Sequence, residues 1–348
     1  MSRLLDVSGG LTYDQAGVSI AAGDESVERI RAFVASTMRP EVLGGIGGFG
    51  GLFALGRYEA PVLVASTDGV GTKLEIARRT GRYDTVGIDL VAMLVDDLVC
   101  VGAEPLFLLD YVALGHLEPS RLAELVDGVA AGCRVAGVAL LGGETAEHAG
   151  VMAPDDLDLA GFAVGVLERG RELGRHRVRV GDVLIGLHSP GLRSNGYSLA
   201  RAVLAPEGAN LDAPAWAGAA TSLADELLRP SVIYSPAIVA LLGEFGESVH
   251  AAAHITGGGI NGNVVRVLAE GLEATIDMAS FDTPEIFFEI QRRGAVAAAE
   301  MTRVFNCGLG MVVALDAAVA DDALSALEVH EARVVGAIRE GSRGVVLS

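Results

Sequence analysis

Positive charge is scarce in this 348-residue chain: 26 Lys and Arg stand against 45 Asp and Glu, a formal net charge of −19 at pH 7. A surface with that balance repels polyanions, which excludes nonspecific binding to nucleic acid or to an anionic membrane. Cysteine is equally sparse. Cys100, Cys133 and Cys307 form no CxxC pair, and their odd number and apolar or glycine-rich surroundings speak for reduced thiols in a cytoplasmic protein rather than a disulfide framework or a zinc site. Long apolar runs are missing too. The longest, such as 159–167, reach about nine residues, short of the ~20 that a membrane-spanning helix needs. Residues 1–6 hold no apolar signal core. Leu, Ile, Val and Ala are plentiful, which excludes disorder, and the length predicts two domains of roughly 100–200 residues each, with material for real cores. Glycine is in surplus: 46 residues, about twice the usual share of ~7%, gathered in clusters without a collagen period.

Patterning places a helix from residue 25 to about 38, capped by Asp24, with Val27, Ile30, Phe33 and Val34 on its apolar face and Pro40 beyond its end. Strands are predicted at 61–66, 106–114, 139–141 and 159–167, and helices at 85–101 and 119–135. The segment 168–180 turns basic, with Arg169, Arg171, Arg175, Arg177 and Arg179, and reads as the connection between a domain over 1–170 and a second over 171–348. After it come strands at 183–187, 274–278, 310–315 and 332–338. Helices are predicted from about 196 and at 223–228, 236–242, 262–272, 284–292 and 321–327. The fold class is α+β in two unequal halves.

The first glycine cluster, 44–51, contains GxGxxG at Gly45, Gly47 and Gly50, with Asp68 about 20 residues on. The proline-broken segment Met38-Arg39-Pro40-Glu41-Val42 precedes it instead of a strand, which removes a dinucleotide-binding reading. Gly47, Gly48, Phe49 and Gly50 are read as a loop whose bare amides close over phosphates. The second cluster, Thr67-Asp68-Gly69-Val70-Gly71-Thr72-Lys73, lacks the GK[ST] ending of a Walker loop. It still offers a carboxylate for Mg²⁺, amides and a hydroxyl for phosphate oxygens, and a cation at Lys73.

Carboxylates come next. On the helix over 85–101, Asp89 and Asp96 lie within about 20° of each other and Asp97 about 80° from Asp89. Three acids on one side of an apolar helix require donors or a cation, and a divalent ion bound by oxygen ligands is the simpler reading, with Asp89 as an N-cap the alternative. Asp110 interrupts a strand-like run, and Gly142-Gly143-Glu144-Thr145 follows the strand at 139–141. Ser194-Asn195-Gly196 opens a helix, and His254-Ile255-Thr256-Gly257-Gly258-Gly259 precedes another; both places favour an anion. His250 and His254 lack an HExxH pattern and are not read as a metal pair.

With these stretches in order, the chain resembles the phosphoribosylformylglycinamidine cyclo-ligase (aminoimidazole ribonucleotide synthetase) family from about residue 13 to 315. The resemblance includes Gly47–Gly50, 67–73, 87–93, Asp97-Leu98, 102–107, 142–147, 194–199, 254–259 and 305–308. It implies ATP-dependent ring closure of formylglycinamidine ribonucleotide, with Mg²⁺, in a homodimer whose N-terminal sheets combine into a β-barrel beside an α/β C-terminal domain. By motif it implies Asp68, Asp97 and Glu144 as metal ligands, and Lys73, Asp97 and Glu144 as catalytic. Gly47, Gly48, Phe49, Gly50, Asp68, Gly69, Gly71, Thr72, Lys73, Asp89, Gly142, Gly143 and Thr145 fall on the ATP side. Ser194, Asn195, Gly257, Gly258 and Gly259 fall on the substrate side. The chain departs from the family pattern at Asp14 (usually Lys), Arg193 (usually His), His148-Ala149 (usually Met-Pro) and Gly262 (usually Glu). The competing readings are another ATP-using enzyme of the same architecture, of the selenophosphate synthetase, thiamine-phosphate kinase or glycinamidine synthetase type, and a nucleotide-binding paralogue without turnover.

Overall fold

A computed structural model describes residues 10–45 and 47–348; the expectation for residues 1–6 lies outside them. The first helix, α1 (Ile20–Ala35), starts earlier than patterning predicts, because Ser19 is the cap and its hydroxyl accepts from the Ala22 amide. Two short strands, β1 (Val42–Leu43) and β2 (Leu52–Phe53), pair antiparallel, so the first glycine cluster is the tip of a hairpin.

The N-terminal sheet is built from β3 (Pro61–Gly69), β4 (Glu104–Leu114), β5 (Ala139–Glu147) and β6 (Leu157–Glu168), in the order β3-β6-β4-β5. Only β4 and β5 run parallel, and α4 (Pro119–Ala136), with proline in its first turn, makes the crossover that a parallel pair requires. The predicted end of β5 at residue 141 is overturned: pairing continues through Gly142, Gly143, Glu144 and Thr145. One register row joins Asp68 to Gly161, Gly161 to Asp110 and Asp110 to Gly143. Helices α3 (Val86–Cys100) and α4 cover one face of the sheet. Where they cross, a Cβ on Gly87 would lie 2.2 Å from the Val129 amide nitrogen, so the close approach depends on glycine. The opposite face presents Leu63, Tyr111 and Phe162 to solvent.

A short helix, α2 (Leu74–Thr80), follows β3. The second half carries α5 (Tyr197–Leu204), α6 (Leu223–Leu227), α7 (Ser235–Phe245), α8 (Gly259–Val264), α9 (Glu285–Gly294), α10 (Ala298–Val304) and α11 (Ala320–Ala326). Its strands are β7 (Val183–His188), β8 (Val249–His254), β9 (Leu272–Ile276), β10 (Leu309–Leu315), β11 (Arg333–Glu340) and β12 (Gly344–Leu347), in the order β12-β9-β11-β7-β10-β8. Every pair is antiparallel except β9 and β12. Patterning missed β8 because Val249-His250-Ala251-Ala252-Ala253-His254 is rich in the best helix former; pairing with β10 decides its conformation. The predicted helix at 262–272 is overturned, since α8 begins at Gly259 and Leu272 already opens β9. One continuous apolar core runs from the N-terminal helices into the C-terminal sheet, and α3, buried on almost every side, is the element both halves share. Among the described residues no helix is long and apolar enough to cross a membrane.

Candidate functional site

The acids of α3 have different partners from those their spacing predicts. Asp89 is fully buried against Lys73, whose Nζ stands 2.5 Å from Asp89 Oδ2. Lys73 also donates to the carbonyls of Arg193 (3.2 Å) and Arg229 (2.7 Å). Asp89 Oδ1 accepts from the Ser231 amide and hydroxyl. Burial pulls Lys73 down and Asp89 up from their ordinary values, while their mutual attraction opposes both shifts. Asp96 Oδ2 pairs with Arg193 Nη2 at 2.8 Å, and its Oδ1 accepts the Tyr234 and Ser235 amides at the start of α7. The charges that α3 needs thus come from side chains and amides, several of them in the C-terminal half, and no metal is required at Asp89 or Asp96. Lys73 and Asp89, expected on the phosphate side, are instead sealed in the seam between the halves.

Asp97 faces outward, with 41% of its side chain exposed and Oδ1 at 2.9 Å from His254 Nδ1. Asp68 ends the strand beside it, where burial and the Asp97 charge push its carboxyl up against the pull of the Gly69 amide. Gly71 and Thr72 are exposed next to it, and Thr72 Oγ1 lies 3.5 Å from Ser198 Oγ. From the other half, Asn195 Oδ1 accepts the Gly257 amide at 3.0 Å. Asn263 donates to the carbonyls of Thr256, Gly257 and Gly259, which shapes the Gly257–Gly258–Gly259 turn. Ser194 Oγ is buried with no hydrogen-bond partner among the described residues. Asp68, Gly69, Gly71, Thr72 and Asp97 therefore meet Ser194, Asn195 and Gly257–Gly259 along one seam.

The remaining predicted residues line a separate cleft of about 720 Å³ bounded by α1, the glycine hairpin, α4 and β5. Gly47, Gly48, Phe49 and Gly50 form one lip and Gly142, Gly143, Glu144 and Thr145 the other, over an apolar wall of Val27, Ile30, Leu122 and Val126. The triad Asp68, Asp97 and Glu144 is not assembled. Asp68 and Gly143 are separated by three strand spacings, roughly 14 Å, and among the described residues no group of three His, Cys, Asp or Glu is placed to hold a metal.

Asp110 borders this cleft. A Cβ at Gly143 would sit 1.7 Å from Asp110 Oδ1, so only glycine lets the carboxylate lie there. Burial pushes its pKa up to about 7. Because this lies above the value of an unfolded chain, folding favours the protonated form. That contribution is complete below about pH 4 and is lost as pH rises through about 7, with a ceiling of about 1.4 kcal/mol per pH unit. The partial exposure of Asp110 lowers the slope. Asp110→Asn is expected to gain stability over the native chain at pH 8 relative to pH 5; equal differences in urea midpoint at both pH values refute this.

Sequence reasoning missed three groups. Arg193 was visible only as a departure from a pattern, and His254 as the start of a glycine turn and one of two histidines not read as a metal pair. Glu147 Oε1 accepts from the Leu117 amide (2.8 Å) and faces His116 Nδ1 (3.0 Å), while Oε2 accepts from Ser19 (3.4 Å), so it ties α1 to β5. Its signal was present in the Gly-Gly-Glu-Thr-Ala-Glu stretch, whose first acid drew the attention.

Fold and site together define a class. The AIR synthase related protein, N-terminal domain, matches residues 54–167, and the AIR synthase related protein, C-terminal domain, matches residues 179–347. The chain is 51% identical over 304 residues to a phosphoribosylformylglycinamidine cyclo-ligase of Xanthomonas campestris pv. campestris (strain B100), covering 87% of this chain and 89% of that protein. It is 49% identical over 328 residues to the protein of the same name from Xanthomonas oryzae pv. oryzae (strain PXO99A), covering 93% and 96%. The chain belongs to the phosphoribosylformylglycinamidine cyclo-ligase family. Thiamine-monophosphate kinase from Stenotrophomonas maltophilia K279a shares the fold, with TM-score 0.68 at 22% identity over 93% of this chain and 96% of that one. So does hydrogenase maturation protein HypE in complex with ATP, with TM-score 0.64 at 17% identity over 92% and 90%.

Proposed function

We propose that this chain is an ATP-dependent ligase that closes formylglycinamidine ribonucleotide to aminoimidazole ribonucleotide, releasing ADP and phosphate, in cytoplasmic purine synthesis. The observation that carries the reading is identity of about half, spread over nearly the whole length of both chains, with relatives of that name. The γ-phosphoryl group passes to the formyl amide oxygen, a nitrogen of the same molecule attacks that carbon, and phosphate leaves with the oxygen as a proton is lost. Such chemistry asks the protein for positioning and charge neutralisation, not for a nucleophile. The glycine lips of the cleft, with Glu144 and Thr145, serve the nucleotide. Ser194, Asn195 and the Gly257–Gly259 amides serve the ribonucleotide.

Magnesium fits Asp68 and Asp97, two oxygen-donor side chains, the first held up by burial and then by the charge of the second; when bound, it would supply neutralisation of phosphate charge. Lys73 is left out of this role by its burial, and Glu144 by its distance from Asp68. A homodimer is the proposed assembly. Its support is the uncovered apolar sheet face bearing Leu63 and Phe162, 64% and 41% exposed, since such faces mark association surfaces. Purified protein given formylglycinamidine ribonucleotide, ATP and Mg²⁺ is expected to yield ADP and aminoimidazole ribonucleotide one for one, with the active species sedimenting at twice the chain mass. ATP binding without product overturns the proposed activity.

A further inference from the structure

We propose that Arg193 is a positioning residue that fixes which ring nitrogen of His254 carries the proton, and through it the orientation of the Asp97 carboxylate. Arg193 Nη2 lies 2.9 Å from His254 Nε2 and 2.8 Å from Asp96 Oδ2. A guanidinium has only donors, so His254 Nε2 meets it as a lone pair. The ring proton then sits on Nδ1, 2.9 Å from Asp97 Oδ1, and the imidazole donates to that carboxylate.

The guanidinium has little freedom to do otherwise. Its Nη1 donates to the Val232 carbonyl at 2.7 Å, and its carbon stands 4.9 Å from the centre of the Tyr234 ring. Asp96, its counter-ion, is itself held by two amides of α7. The backbone at Arg193 has φ 61°, a left-handed conformation that is uncommon for a side-chain-bearing residue and is kept where the surroundings over-determine it. Arg193 and His254 are 2% and 4% exposed. The circuit Asp96–Arg193–His254–Asp97 therefore leaves α3, crosses to the C-terminal half and returns to α3 at the next residue, ending on an oxygen-donor side chain open to the seam.

The molecule holds an internal control. Arg179 Nη2 lies 3.2 Å from His250 Nε2, and His250 Nδ1 lies 2.8 Å from Asp182 Oδ2, the same order of contacts on the same strand. There the acid is buried and also accepts the Arg179 amide, so the trio fastens the connecting segment to β8 and presents no carboxylate to solvent. The exposed carboxylate distinguishes the Arg193 circuit as a device for orienting an open site.

The consequence for turnover rests on the cyclo-ligase reading; the ring protonation does not. In protein labelled with ¹⁵N-histidine, two-dimensional NMR at pH 8 is expected to show His254 with Nδ1 protonated and Nε2 bare, assigned by loss of the signal in His254→Asn. Arg193→Lys, whose single ammonium lacks the two-pronged geometry, is expected to mix the tautomers and lower kcat about 10–100-fold, the usual cost of an outer-shell partner, with KM for ATP held. His254→Asn keeps a donor at the Nδ1 position and is expected to retain more turnover than His254→Gln; this pair does not depend on whether Arg193→Lys folds. An Nε2–H ring in the native protein, or equal turnover in the two His254 variants, overturns the proposal. An Nδ1–H ring in a native protein without turnover upholds the tautomer assignment and overturns the proposed activity alone.

Discussion

Lys73→Met is expected to cost the folded chain about 3–5 kcal/mol, because it strands Asp89 as an uncompensated buried charge. Both side chains are wholly inaccessible, and once the ammonium is gone Asp89 keeps only the Ser231 amide and hydroxyl. The carbonyls of Arg193 and Arg229 lose their donor at the same time. Lys73→Met/Asp89→Leu, which removes both charges, is expected to recover most of the loss, since an apolar replacement of a whole buried pair is often neutral. Urea unfolding of the native, single and double variants checks both statements. A single variant as stable as the native chain, with turnover alone reduced, would return Lys73 to the phosphate-contact role that its place in the glycine stretch first predicted.

Asp97→Asn is expected to act the opposite way, on chemistry and not on folding. The substituted amide oxygen can still accept from His254 Nδ1, and the side chain is partly open to solvent, so the urea midpoint is expected to hold. What disappears is the negative charge beside Asp68. A loss on the order of 100-fold in kcat/KM, about 2.7 kcal/mol of transition-state stabilisation, is expected. Near-native kinetics would remove Asp97 from the site.

These two variants mark where the sequence was readable. Periodicity located most of the helices and strands because apolar spacing records burial directly, and the glycine clusters 44–51 and 142–145 are the two lips of one cleft. The angular spacing of Asp89, Asp96 and Asp97 established that they need compensation. It did not reveal the source, because Ser231, Arg193 and the α7 amides lie more than 90 residues away along the chain and charge pairing of that range leaves no local period. The same limit hid the distance between Asp68 and Glu144. Each adjoins a glycine in a glycine-rich motif, but strand order, with β6 and β4 between β3 and β5, decides their separation. In β8, an alanine-rich segment carried no strand pattern and was assigned no element, while pairing with β10 makes it a strand, an ordinary case of packing overriding propensity.

The buried charges between the halves also constrain how the molecule moves. Swinging the two sheets apart would separate Arg193 from Asp96, and Lys73 from the carbonyls of Arg193 and Arg229, exposing several ions to incomplete solvation at once. The hairpin bearing Phe49 is pinned at its base by two ladder pairs and by the Ala54 amide donating to the Glu41 carbonyl, and it projects the Phe49 ring into solvent. Opening the seam is the costlier motion, so the two sheets are expected to keep their relative placement and to respond to ligands as one body.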